Sequence, residues 1–335
     1  MKKASFYLNY YLDNEVFNLN NSVVNRDNCT FSYFKLKEVF LENDFDLSTC
    51  DINTIDQSSF VIYNEMPKNL PRKEDIKRSY LLLFESELIK PENWDLDKHQ
   101  YFNKIFTWDD GFIDNKKYFK INFSHLFPQS INKNLLKKEN LCSLIAGNHK
   151  SSHHLELYSK RLEAIRWFEK NHPEEFDFYG IGWDSYTSSN KYIRFLLKKL
   201  NLSKFFKPYF PCYKGKVASK KITFEKYKFA ICYENAKDVS GYITEKIFDC
   251  FFAGCIPIYW GANNIAKHIP KACFIDKREF DTYEKLYTYM SDMSDETHKQ
   301  YMEAIESYLN SNKADEFRAE FFANTIVQTI LADVK

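Results

Sequence analysis

From Leu141 onward the chain alternates short apolar runs with segments of helical period, and this alternation limits the fold more than any other feature. LCSLIAG (141–147), FDFYG (176–180), KYKFAICYE (226–234), CIPIYW (255–260) and CFID (273–276) have strand length. Between them, Leu155–Asn171 sets Tyr158, Leu162, Ile165 and Phe168 on one helical face, and Gly241–Ala253 reads as a second helix. Short buried strands alternating with helices predict a parallel, doubly wound sheet. The first half carries a thinner version. SFYLNYY (5–11), SFVIYNE (59–65), SYLLLFESE (79–87), IFTW (105–108) and YFKINF (118–123) read as strands, and Ser32–Phe40 reads as a helix. An α/β chain of two Rossmann-like domains facing a cleft follows, with residues 1–140, 141–310 and a C-terminal helix over 311–335.

Several function classes drop out. The longest weakly polar run, Cys250–Ala262, is too short for a bilayer and holds Pro257. Asn9, Asp13, Asn14 and Glu15 break the opening stretch, so no secretory signal is expected. A net charge of +1 gives no global attraction for nucleic acid. None of the eight cysteines forms a CxxC pair, and most sit in apolar runs, which favours reduced thiols in a cytoplasmic protein. DFD (44–46) and DLD (95–97) end no clear apolar strand and read as solvated acids. His149, His153 and His154 lie in a polar loop with no carboxylates beside them, so no metal site is expected.

Charge and glycine are unevenly spread. Residues 191–228 hold twelve Lys/Arg against Glu225 alone, which leaves the rest of the chain at −10. This segment is either a solvated basic surface or one that attracts an anionic substrate or membrane face. Glycine occurs only 8 times and never before Gly111. Gly147, Gly241 and Gly261 fall at turns of the second domain where a backbone approaches phosphate or bends sharply.

The chemistry concentrates in Phe229–Gly261. The run FAICYE ends at Glu234 and Asn235, and a helix follows with Ile243, Ile247, Cys250 and Phe251 on its buried face. Glu245 and Lys246 stand in its first turns. A lysine there is explained by an anion held at the same helix N-terminus, or it is simply solvated.

The run YEN, then GYITEKIFDCFFAGCIPIYWG, closely resembles the signature of the α-1,3/4-fucosyltransferases, glycosyltransferase family 10. HIPKACFIDKREF (268–280) is similar to a further family stretch, with Cys273 where serine is usual. The resemblance is strongest over about 140–285. It implies a GT-B architecture, with GDP-fucose in the C-terminal domain and the acceptor in the N-terminal one. It also implies donor contacts from Asn235, Tyr242, Glu245 and Lys246, and a diphosphate contact from Arg161, with Arg166 as its rival. Gly147 and Asn148 are expected to offer backbone N–H groups to phosphate. The family's base follows an N-domain strand, and here LLLFESE supplies Glu85, with Glu87 as the alternative. A carboxylate half-buried at a strand end has a raised pKa and can take a hydroxyl proton.

The resemblance therefore implies an inverting transferase. It moves L-fucose from GDP-fucose to a glycan hydroxyl, by family default the 3-position of GlcNAc in an N-acetyllactosamine unit. Glu245 is also expected to support the oxocarbenium-like state, and no divalent metal or other cofactor is expected. A transferase using another GDP-sugar and a catalytically silent glycan-binding protein remain the alternatives. The oligosaccharide or glycoconjugate acceptor is not specified, nor is the oligomeric state. The expected location is cytoplasmic, with peripheral membrane contact through 191–228.

Overall fold

The computed structural model describes residues 1–184, 191–200 and 208–334, with the side chains of Lys191, Arg194 and Lys198 apart. Among the described residues two parallel sheets carry the architecture. The first contains β1 (Lys2–Tyr7), β2 (Phe45–Thr49), β3 (Val61–Asn64), β4 (Ser79–Leu83), β5 (Lys104–Thr107) and β6 (Tyr118–Lys120), in spatial order β2-β1-β3-β4-β5-β6. The second contains β7 (Asn140–Ile145), β8 (Phe176–Tyr179), β9 (Tyr227–Tyr233), β10 (Ile256–Trp260) and β11 (Ile275–Asp276), in order β11-β10-β9-β7-β8. The described α-helices are α1 (Phe31–Leu41), α2 (Leu96–His99), α3 (Tyr158–Asn171), α4 (Lys191–Lys199), α5 (Lys220–Phe224), α6 (Glu245–Phe252), α7 (Ile265–His268), α8 (Tyr283–Ser291), α9 (Asp295–Leu309) and α10 (Ala319–Val334).

Strand order reverses between β1 and β3 in the first sheet and between β7 and β9 in the second. Crevices at the carboxyl ends of such strands are where open α/β sheets take ligands. The chain does not leave the first domain for good at β6. Phe322, Ala323, Ile326, Val327, Ile330 and Leu331 of α10 pack in one core with Leu36 and Phe40 of α1 and with Phe6 and Phe60 under the first sheet. The C-terminal helix thus closes the N-terminal half, and burial of its Phe, Ile, Val and Leu side chains at roughly 1.5–3 kcal/mol each ties the domains together.

Three expectations need correction. DFD ends no strand and Asp44 is exposed, but Asp46 is not simply solvated: it lies in β2, accepts from Asn53 and pairs with Lys37 at 3.2 Å. The helix expected from Gly241 begins only at Glu245, because residues 241–244 form an extended turn ending at the N-cap residue Thr244. The helix expected from Leu155 starts at Tyr158. Among the aromatics, Trp108, Tyr63, Tyr80 and Phe106 are fully buried, so they fill cores. All eight cysteines are free thiols.

Candidate active site

A crevice lies at the carboxyl ends of β7 and β9, where the strand order reverses. Helix α3 returns from β7 so that Arg161, on its first turn, points at the end of β9. Arg161 is 4% exposed. Its Nε and Nη2 donate to the Tyr233 carbonyl at 3.2 and 2.7 Å, and Nη2 also reaches Asn235 Oδ1 at 3.0 Å. Asn235 Nδ2 in turn approaches the Tyr242 hydroxyl at 3.5 Å. Among the described residues no carboxylate pairs with Arg161. Burial lowers its pKa, while Tyr158, Glu234, Tyr242 and Glu245 act in the opposite direction. A buried guanidinium bonded to neutral oxygens keeps its charge for an anion.

The start of α6 is held from β9. Glu234 is fully buried and accepts from Thr244 N at 2.8 Å and from Thr244 Oγ1 at 2.6 Å, so a strand-end carboxylate fixes the helix N-cap. Lys246 Nζ lies 3.3 Å from Glu234 and 3.5 Å from Glu245. Burial opposes its charge, yet those two carboxylates hold it above its usual range. Lys220 adds a second cation, 3.6 Å from Glu245 and 2.7 Å from Asp249. Burial works to raise the Glu245 pKa, but Lys246 and Lys220 hold the carboxyl well below the usual range. Glu245 therefore stays ionised.

Glu85 faces this group from the first sheet. Hydrogen bonding of β4 ends at Leu83, and Glu85 emerges at its carboxyl end, half-buried. Burial raises its pKa; Lys246 lowers it and Glu245 raises it. A cavity of about 1110 Å³ opens between the sheets, with Tyr10, Tyr33, Glu65, Glu85, Lys220 and Glu245 in its lining. Arg161, Asn235 and Lys246 stand outside that lining, toward the β7–β9 crevice. A carboxylate of raised basicity faces an ionised carboxylate and clustered cations across one cleft. Such a site can deprotonate a hydroxyl and receive negative charge on a leaving group.

The sequence candidates thus separate. Arg161, Asn235 and Tyr242 form one hydrogen-bonded chain, and Glu245 and Lys246 form an ion-paired set facing Glu85. Arg166 lies elsewhere, paired with Glu169 at 2.6 Å and stacked 3.8 Å from the Phe210 ring. Glu87 is exposed. The expectation for Asn148 is corrected: its N–H is donated to the Ile181 carbonyl at 2.9 Å and its side chain to Gly182 at 2.9 Å, so neither is free for phosphate. Gly147 lies two residues beyond the end of β7. Gly241, with φ +81°, makes the sharp turn expected of it, and a Cβ there would stand 2.2 Å from the Trp108 carbonyl. Among the described residues no three His, Cys, Asp or Glu side chains converge as metal ligands.

Two cleft residues escaped the sequence reading, Glu65 and Lys220. Glu65 closes an apolar run just as Glu85 does, and that was its available signal. Lys220 was hidden within a basic run. Other members of that run are spent on pairing: Lys214 meets Asp177 and Lys226 meets Glu139, both at 3.2 Å. Lys204 and Lys207 lie outside the described residues.

Comparison with known proteins agrees with this layout. Residues 179–324 match the family described as glycosyltransferase family 10 (fucosyltransferase), C-terminal part. Over 120 residues the chain is 33% identical to an alpha-(1,3)-fucosyltransferase, FucT, of Helicobacter pylori. That stretch is 36% of this chain and only 24% of the relative's length. A solved alpha1,3-fucosyltransferase with GDP-fucose superposes with a TM-score of 0.54 at 16% identity, covering 98% of this chain and 90% of that one. An alpha-glucosyltransferase in complex with UDP superposes with a TM-score of 0.58 at 9% identity, covering 99% of this chain and 100% of the other. The shared architecture is GT-B, two parallel α/β domains around a cleft.

Proposed function

Since residues 179–324 are a glycosyltransferase family 10 domain, we propose that the chain is an inverting transferase that moves L-fucose from GDP-fucose to a hydroxyl of a glycan acceptor. The single observation that carries this reading is Arg161, a buried cation with no carboxylate partner among the described residues, at the β7–β9 switch point. There it holds the diphosphate with its planar fork, and Lys246 adds charge from α6. Glu85 removes the proton from the acceptor hydroxyl as the oxygen attacks the anomeric carbon. The bond from that carbon to the diphosphate oxygen breaks in the same displacement, and GDP leaves with its electron pair. Arg161 and Lys246 receive the developing negative charge, and the reading assigns no divalent metal. Glu245, kept ionised by two lysines, stabilises positive charge on the sugar ring. Asn235 and Tyr242 position the donor.

The acceptor is an oligosaccharide or glycoconjugate, with the 3-hydroxyl of GlcNAc in an N-acetyllactosamine unit as the first candidate. The test incubates the protein with GDP-fucose, GDP-mannose or UDP-glucose and a glycan panel, then analyses the product linkage. Fucose transfer supports the proposal. Transfer only from another GDP-sugar replaces the donor, and glycan binding without release of GDP favours a silent binding protein.

A cytoplasmic location with peripheral contact at the inner membrane face completes the proposal. No described helix is long and apolar enough to cross a membrane. On α4, Tyr192 and Phe195 are 84% and 64% exposed within a lysine-rich sequence, a combination suited to an anionic lipid surface. Co-sedimentation with anionic but not neutral vesicles checks it.

A further inference from the structure

Glu65 occupies a costly position that its own strand does not explain. It follows the last residue of β3 with φ +73°, a left-handed conformation disfavoured for a residue with a Cβ, and it is 7% exposed. Its Oε1 accepts the backbone N–H groups of Phe84 and Glu85 at 3.1 and 2.9 Å. Its other carboxylate oxygen accepts from Asn93 Nδ2.

The same dipeptide is held on its carbonyl side. Asn93 Nδ2 and Trp94 Nε1 donate to the Glu85 carbonyl at 3.1 and 3.0 Å, and Trp108 Nε1 donates to the Phe84 carbonyl at 2.6 Å. All four backbone polar groups of Phe84–Glu85 therefore go to side chains just where the ladder of β4 stops. Glu65 takes two of them and anchors Asn93, which reaches a third.

We infer that Glu65 is the positioning residue for the base, fixing the Phe84–Glu85 peptide so that the Glu85 carboxylate faces the donor domain across the cleft. The inference rests on the reading of Glu85 as the base. It asks nothing of Glu65 toward substrate.

The charges agree with this role. The three partners of Glu65 are all N–H donors, so the ionised carboxylate satisfies each of them, and a proton on it would face a donor. Burial pushes the Glu65 carboxyl up to about 7, with Glu85 acting in the same direction and Lys90 against it. Tyr10 and Tyr33 lie in the same field. Glu85 in turn is faced by Lys246, Glu245 and Lys90. Removal of the Glu65 carboxylate takes away the acceptor of both backbone N–H groups and loosens the Phe84–Glu85 peptide.

The test compares Glu65→Gln, Glu85→Gln and the unaltered chain in fucosyl transfer from GDP-fucose across a pH series. In Glu65→Gln, kcat is expected to fall about 10-fold or more with KM for both substrates within about 3-fold, as for a displaced catalytic group. An unchanged kcat, in a variant with unaltered circular dichroism, overturns the inference provided Glu85→Gln is inactive. Full activity of Glu85→Gln instead overturns the base reading itself. If Glu65→Gln does not fold, Trp94→Phe tests the same clamp. It removes one donor to the Glu85 carbonyl and keeps an aromatic ring against Trp108; kcat must fall with KM unchanged, and an unchanged kcat contradicts the inference.

Discussion

Trp108 packs on Tyr242 with ring centroids 4.8 Å apart and planes at 50°, joining the two domains at the point where the proposed base and donor loop meet. The same indole bonds the Phe84 carbonyl. Trp108→Phe keeps a ring at the interface and loses that bond, so kcat should drop several-fold with little change in Tm. Trp108→Ala removes both and should cost about 3–5 kcal/mol of stability, measured by denaturant unfolding.

Arg161 offers a planar fork to two oxygens at once, and a lysine cannot reproduce it. Arg161→Lys is expected to weaken GDP binding by about 10-fold or more, as read by calorimetry, with the fold retained. Equal GDP affinity would remove Arg161 from the donor site.

A base must be deprotonated to act, and burial raises the Glu85 pKa above its usual value of 4.5. At saturating donor, kcat/KM for the acceptor should therefore fall as pH drops through a value above 4.5. Lys246 lowers that pKa, so Lys246→Met should move the limb to higher pH. Glu245 raises it, so Glu245→Gln should move the limb to lower pH. Identical profiles in the three proteins would contradict this assignment.

His268 bridges Asp110 Oδ2 at 3.0 Å and Glu316 Oε1 at 3.1 Å. Burial works against its charge, but these two partners raise its pKa to about 9. A His raised on folding stabilises fully below its unfolded value of about 6.5 and loses that contribution as pH rises through about 9. Thermal scans should show the Tm advantage over His268→Gln present at pH 6 and gone by about pH 10.

Much of the fold was legible because central strands such as β3, β4, β9 and β10 are buried on both faces and read as mostly apolar runs. β2 escaped because Asp44 and Asp46 flank Phe45, and only the structure shows Asp46 turned to Lys37 and Asn53. In the site, the four proposed donor residues came from the resemblance of YENAKDVSGYITEK to the family signature, which a contiguous stretch can carry. Glu65 and Asn93 escaped for the opposite reason. They act on the backbone of Phe84 and Glu85 from distant positions, and hydrogen bonds to a peptide leave no spacing to read. The glycine reading held for geometry at Gly241, whose left-handed turn also makes room for the Trp108 carbonyl.

The most direct measurement is the turnover of Glu85→Gln with GDP-fucose and an N-acetyllactosamine acceptor, beside its affinity for GDP-fucose. Loss of the base should lower kcat by about 10²–10⁴-fold while donor affinity stays within a few-fold. Near-normal turnover by the variant would contradict the mechanism.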